Sequence, residues 1–115
     1  MLFSGSLKEN HLFRRLYRKG TSAANGHLVL YYRENGTGQN RIGLTVSAKL
    51  GHAVVRNKLR RRLREIYRLH ENGFRRGIDM VVVARSRAAG ASYDRLQQAY
   101  LSLAETMGLY RGTEQ

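Results

Sequence analysis

Leu59, Leu63, Ile66 and Tyr67, followed by His70, recur at i, i+4, i+7, i+8 and i+11, a spacing that predicts one buried face of a helix. At about 100° per residue, Asn57, Arg61, Arg64 and Arg68 fall together opposite that stripe, with Arg60 flanking them. Residues 49–52 read as the turn into this helix, and Asn72-Gly73 can end it. Upstream, Leu12, Phe13, Leu16 and Tyr17 mark one face of a shorter helix. Ser6 to Glu9 fits a capping box for it, with Asn10 as the alternative cap, and Gly20 is placed to end it. Residues 27–33 alternate, with Leu28, Leu30 and Tyr32 against Val29, Tyr31 and Arg33. Residues 41–47 repeat the alternation, with Ile42, Leu44 and Val46 against Gly43, Thr45 and Ser47. The polar stretch between them contains Asn35-Gly36 and predicts a hairpin joining the two strands. Residues 78–84 are an almost unbroken apolar run of the kind expected for a central strand. Ser92 is placed to cap a last helix whose core face is Leu96, Ala99, Tyr100, Leu103 and Met107.

These elements predict one α+β domain over residues 1–115, a two-layer α/β sandwich of order α-β-β-(β)-α-β-α. The optional strand would lie near residues 46–49, and residues 110–115 would form a frayed tail.

Charge changes the picture most. The 115 residues hold 21 Lys and Arg against 8 Asp and Glu, a formal net charge of +13. Seven of those cations and one acid, Glu65, lie between Arg56 and Arg68. A field of this sign points to nucleic acid or an anionic surface as partner. Arg outnumbers Lys in the helix, and its planar fork suits phosphates and base edges. A membrane-lying helix would keep its apolar face for lipid, whereas these short strands need that face to build a core, so nucleic acid is the favoured partner over a membrane. Cysteine is absent, which excludes disulfides and thiolate metal sites. No signal peptide and no membrane-spanning run is apparent, so a cytoplasmic protein is expected.

Candidate catalytic chemistry is sparse. The eight acids are scattered without an i, i+3 or i+4 pair, and the four histidines lack metal-ligand spacing. His70, on the apolar stripe, reads as a packed structural residue. There is no phosphate-cradling glycine loop and no nucleophile elbow. The strand face that carries Tyr31, Thr45 and Ser47 could stack and hydrogen-bond single-stranded bases. Taken alone, its pattern fits an ordinary half-solvated sheet better.

The run from Arg41 to Glu65, RIGLTVSAKLGHAVVRNKLRRRLRE, closely resembles the protein subunit of bacterial ribonuclease P. It is similar to that family's strand, turn and "RNR" helix in one piece. Phe13, Tyr17, Gly20, Thr21 and Ser22 resemble its first helix and following turn, Tyr31 the aromatic of its first strand, and residues 79–85 a later strand. The resemblance implies an enzyme only as a holoenzyme: the catalyst would be an RNA carrying its own magnesium ions, with no cofactor held by the protein alone. Its substrate would be precursor tRNA, cut to create the mature 5′ end. The catalytic ribonuclease P RNA would bind Lys49, Arg56, Asn57, Lys58, Arg60, Arg61, Arg64 and Arg68. A cleft with Phe13, Tyr17 and Tyr31, joined by Thr45 and Ser47, would hold the single-stranded 5′ leader. The resemblance also implies a left-handed β-α-β crossover, and neither a protein partner nor a membrane is required.

Two positions depart from the family. Ala48 stands where a second lysine is usual, and Arg62 where an apolar residue is more common, at the edge of the core stripe where its stem can pack while its head reaches water. The alternative from another class is a non-catalytic RNA-binding protein of ribosomal or assembly-factor type. That reading explains charge and helix equally well, but not the coincident aromatic positions. A duplex DNA reader lacks a specific base-edge spacing here, and an autonomous nuclease lacks paired acids.

Overall fold

The computed structural model describes residues 1–112 and is built around the strand Ile78–Ala84. Its only polar side chain is Asp79, and six of its seven residues are buried. Such a strand is stable only with neighbours on both edges and cover on both faces. It takes the centre of a five-stranded sheet. In chain order the strands are β1 (Ser4–Ser6), β2 (Thr21–Ala24), β3 (Leu28–Glu34), β4 (Asn40–Thr45) and β5 (Ile78–Ala84). Spatially the order is β1-β4-β5-β3-β2. β5 runs parallel to β4 and antiparallel to β3. The helices are α1 (Asn10–Lys19), α2 (Ala53–His70) and α3 (Tyr93–Thr106).

The predicted hairpin is therefore not one. β3 and β4 each pair with β5, which lies between them. The connecting residues 35–39 can reach about 17 Å when extended, more than the two strand spacings of roughly 10 Å that separate β3 from β4. A turn-forming loop flanked by alternating strands is thus compatible with a split pair, and β5 needs both places. The loop is anchored over the start of β5, where the Asn35 amide donates to Gly77 O at 2.8 Å.

Each face of the sheet carries a core. Leu28 and Leu30 of β3 and Met80 and Val82 of β5 pack against Leu59, Leu63, Ile66 and Tyr67 of α2 and Leu96 and Tyr100 of α3. On the other face, Val81 packs with Leu7, Leu12 and Leu16 beneath α1. The stripes predicted for α1 and α2 are the buried ones. In α3, Leu96, Tyr100 and Leu103 are buried as expected with Ala104, while Ala99 and Met107 are half-buried. His70 is structural: Nδ1 lies 2.8 Å from Ile66 O, and the ring meets Tyr110 edge-on.

Other local expectations divide. Ser92 caps α3, accepting from the Arg95 amide at 3.1 Å. The capping box at Ser6 does not form, because Ser6 is the last residue of β1 and Glu9 occupies the cap position without a side-chain bond. The strand expected near residues 46–49 is instead a 3-10 turn, Ala48–Leu50, closed by Ser47 Oγ on the Lys49 amide. Gly51, with φ 145°, then redirects the chain into α2, a conformation that a side chain would resist. β1 and β2 were not predicted; SGS and TSAA are short polar edge strands without a usable alternation. At the C-terminus Tyr110 bridges to Phe74 and packs on its ring, so order reaches further than the expected tail, whose residues 113–115 lie outside the described residues.

Buried polar groups lock the chain's N-terminal segment to the sheet and α2. Asn40 is fully buried, and its carboxamide donates to Tyr67 Oη and Arg75 O while accepting from the Gly77 and Ile78 amides. Glu71 accepts the amides of Leu2 and Phe3 at 2.7 and 3.0 Å. Burial pushes the Glu71 carboxyl up, but the Ser4 hydroxyl and these two amides outweigh it and hold the group below its ordinary range. A depressed carboxylate contributes stability above its ordinary value, and that contribution is lost as pH falls through the lowered value. Glu71→Gln should therefore melt earlier than the wild type at neutral pH, with the gap closing below pH 4.5. Thermal melts across that range check it; a gap independent of pH would remove the charge from the clamp.

Candidate nucleic-acid interface

The apolar stripe fixes how α2 sits, and the rest of its circumference follows. With Leu59, Leu63, Ile66 and Tyr67 buried, Asn57, Lys58, Arg61, Arg64 and Arg68 are exposed and Arg56 and Arg60 are half-exposed. Lys49 is exposed in the 3-10 turn just before the helix. No acid lies in the first turn of α2, so the positive end of its dipole adds to the cations there.

These cations are not equivalent. Arg56 Nε donates to Gly51 O at 3.1 Å, which fastens the helix start to the preceding turn. Arg60 donates to Asn57 Oδ1 at 2.9 Å. Arg68 is held in a two-point pair with Glu65, at 3.1 and 2.7 Å, and the guanidinium draws the Glu65 carboxyl below its ordinary range. Among the described residues, Lys49, Lys58, Arg61 and Arg64 donate from their side chains to no protein acceptor. Arg62 is half-exposed at the edge of the stripe, and its head also finds a protein partner. It donates to Ala91 O at 3.2 Å and ties α2 to the segment before α3.

The second predicted surface lies beside α1 on the opposite face of the sheet. Leu12 and Leu16 anchor α1, which turns Phe13 and Tyr17 toward β3 and β4. The rings of Phe13 and Tyr17 are 6.4 Å apart, and Tyr17 meets Tyr31 edge-on at 5.0 Å. Tyr17 Oη lies 2.7 Å from Thr45 Oγ1 across the gap between helix and sheet. Tyr17 remains 40% exposed, which leaves ring area for a further stacked group. Four of the five predicted cleft residues are thus brought together. Ser47 is exposed two residues beyond Thr45, past the end of β4, and its hydroxyl accepts from the Lys49 amide at 3.2 Å.

Gly43 makes the first part of this geometry possible. A Cβ there would stand 2.6 Å from Phe13 Cζ, so only glycine admits the ring onto β4. Arg33 also joins Arg14, Arg15, Arg18 and Lys19 in a shallow groove on α1's outer side. A helix wheel shows the basic flank but not the strand residue that completes it.

Among the described residues no three His, Cys, Asp or Glu are grouped as a metal ion would need, and no helix is long and apolar enough to cross a membrane.

A sequence model of the family described as Ribonuclease P matches residues 4–108. The ribonuclease P protein component of Alkaliphilus oremlandii is 42% identical over 103 residues, covering 90% of each chain. The solved RNase P protein of Staphylococcus aureus superposes with a TM-score of 0.86 at 32% identity, over 95% of this chain and 98% of that one. The RNase P protein of Thermotoga maritima gives 0.82 at 30% identity, over 88% and 96%. The ribosomal or assembly-factor alternative is not what these matches favour. A match over nearly the whole chain, with the same fold in two solved relatives, places this chain in the ribonuclease P protein family.

Proposed function

We propose that this chain binds the catalytic ribonuclease P RNA through the exposed face of α2 and the 5′ leader of precursor tRNA through the cleft beside α1. The supporting observation is the pairing of the two surfaces on one sheet: Arg61 and Arg64, unpaired among the described residues, on one side, and the Phe13–Tyr17–Tyr31 chain of rings on the other. Guanidinium groups neutralise RNA phosphates and release counterions, which supplies affinity without sequence preference. Aromatic rings supply stacking area for unpaired bases, which duplex RNA cannot offer. Together they favour a substrate that carries a single-stranded leader next to a folded tRNA. In this reading the hydrolytic step belongs to the RNA, with magnesium held there, and the protein lowers repulsion between two polyanions and positions the leader.

Reconstitution tests the whole reading. Purified chain mixed with a bacterial ribonuclease P RNA at low magnesium should cleave precursor tRNA at the mature 5′ end. Protein alone should be inactive and RNA alone nearly so. Cleavage by the protein alone would overturn it.

The basic face has its own signature. Arg64→Ala should reduce the magnitude of the log–log salt slope for RNA binding by about one. Glu65→Gln should act oppositely, because it removes an acid and frees Arg68; titrations across salt concentrations read both. A slope unchanged in Arg64→Ala takes that residue off the RNA.

The cleft is read by substrate discrimination. Tyr31→Ala should cost about 1–3 kcal/mol in precursor binding if a base stacks there, with little change for leaderless tRNA. Equal losses for both would remove Tyr31 from the leader site.

A further inference from the structure

A pocket of about 210 Å³ opens around the edge of β4, where the two surfaces approach one another. β1 covers that edge only as far as Ile42: the last paired residues are Ser6 and Ile42, and the Leu7 amide closes the ladder on Ile42 O at 3.0 Å. Asn40 N and Ile42 O both bond toward β1. Strand alternation therefore turns the N–H and C=O of Leu44 to the same side, past the end of β1, where no strand pairs with them. The pocket wall beside this open rung is apolar, formed by Leu7, Phe13 and the ring of Tyr67. Tyr67 offers only its ring, since its hydroxyl is held by Ser4 and Asn40. Arg60 and Arg64, one helical turn apart on α2, complete the lining.

We propose that this pocket takes one unstacked nucleobase of a single-stranded RNA segment, with the adjoining phosphates against Arg60 and Arg64. The space is smaller than the roughly 300 Å³ at which pockets for whole small molecules begin, so it suits a single ring system. A backbone donor beside an acceptor matches the edge of a base, and two guanidiniums match the phosphates that come with it. A peptide strand is a poor occupant: among the described residues only one rung of β4 is open before the chain enters the 3-10 turn ahead of α2, too little for strand addition. The proposal rests on the RNA-binding reading above and extends it to Leu7, Leu44 and Tyr67, which have no role there. The base can come from the leader or from the catalytic RNA, and the test separates the two.

Ser6 and Gly5 line the pocket from an exposed edge strand, and a Cβ at Gly5 would meet nothing within 4 Å. Ser6→Trp and Gly5→Leu should therefore fill the space, each serving if the other fails to fold as judged by its melting temperature. In the reconstituted complex a folded filler should weaken binding on the order of tenfold, with the salt slope unchanged and Ser6→Ala behaving as wild type. A loss confined to precursor tRNA assigns the base to the leader, and a loss in binding of the ribonuclease P RNA assigns it to that RNA. Unchanged affinity for both, while Tyr31→Ala still lowers discrimination for the leader, overturns the pocket and leaves the cleft standing. Failure of the wild type to bind either RNA would remove the underlying reading, and the pocket with it.

Discussion

A strand that is apolar on both faces constrains everything else in this protein. Burial of one large aliphatic side chain is worth about 1.5–3 kcal/mol, and β5 carries Ile78, Met80, Val81 and Val82 with no exposed surface. Exposing either face would forfeit several such contributions, more than a small domain can spare. β5 therefore takes the centre and separates β3 from β4, with α1 on one side of the sheet and α2 and α3 on the other. The two surfaces proposed for RNA follow from this layering: the exposed face of α2 on one side, and the cleft between α1 and the sheet on the other. Their separation follows from core packing before any ligand is considered.

Acids are few, and their placement decides which arginines remain available. Asp79 is the polar exception in β5, and it holds Arg41 through two bonds of 2.7 Å while accepting from Asn35 at 3.0 Å. Glu34 pairs with Arg75, and Glu65 with Arg68. Two of these pairs lie on the sheet or its connections, away from α2. The middle of α2 is left with Arg61 and Arg64 unpaired among the described residues. An exposed ion pair contributes little to stability. Its larger effect here is to remove a guanidinium from the set that can meet phosphate at no cost.

Much of this was legible in the chain because the signals were periodic. The α2 stripe from Leu59 to Tyr67 predicts both the buried face and the exposed arginines, and the apolar run of β5 predicts its central place. What failed was pairing. Alternation states which side of a strand is apolar but not which strand is its neighbour, so the loop at Asn35-Gly36 predicts a hairpin that the strand order does not contain. Ser6 matched a cap by spacing, yet Leu7 is drawn into the core beneath α1 and carries Ser6 into β1. The cleft was found through Phe13, Tyr17 and Tyr31, three residues whose contacts cross elements. Periodicity could not join them; resemblance did.

The two surfaces proposed for RNA are mechanically coupled through β4. Its Gly43 admits the Phe13 ring on one face, its Thr45 meets Tyr17, and Ile42 and Leu44 pack against the core beneath α2 on the other. The strand then passes through the 3-10 turn and Gly51 directly into the α2 start, where Arg56 is fastened back to Gly51 O. The 3-10 turn and Gly51 make up most of the link between β4 and the helix that carries the first arginine. An RNA held on α2 thereby fixes the cleft relative to itself, to within the rigidity of one packed sheet. In the proposed reading, a leader is positioned against a separate catalytic RNA most economically when one strand joins the two surfaces, and β4 is the strand that joins them.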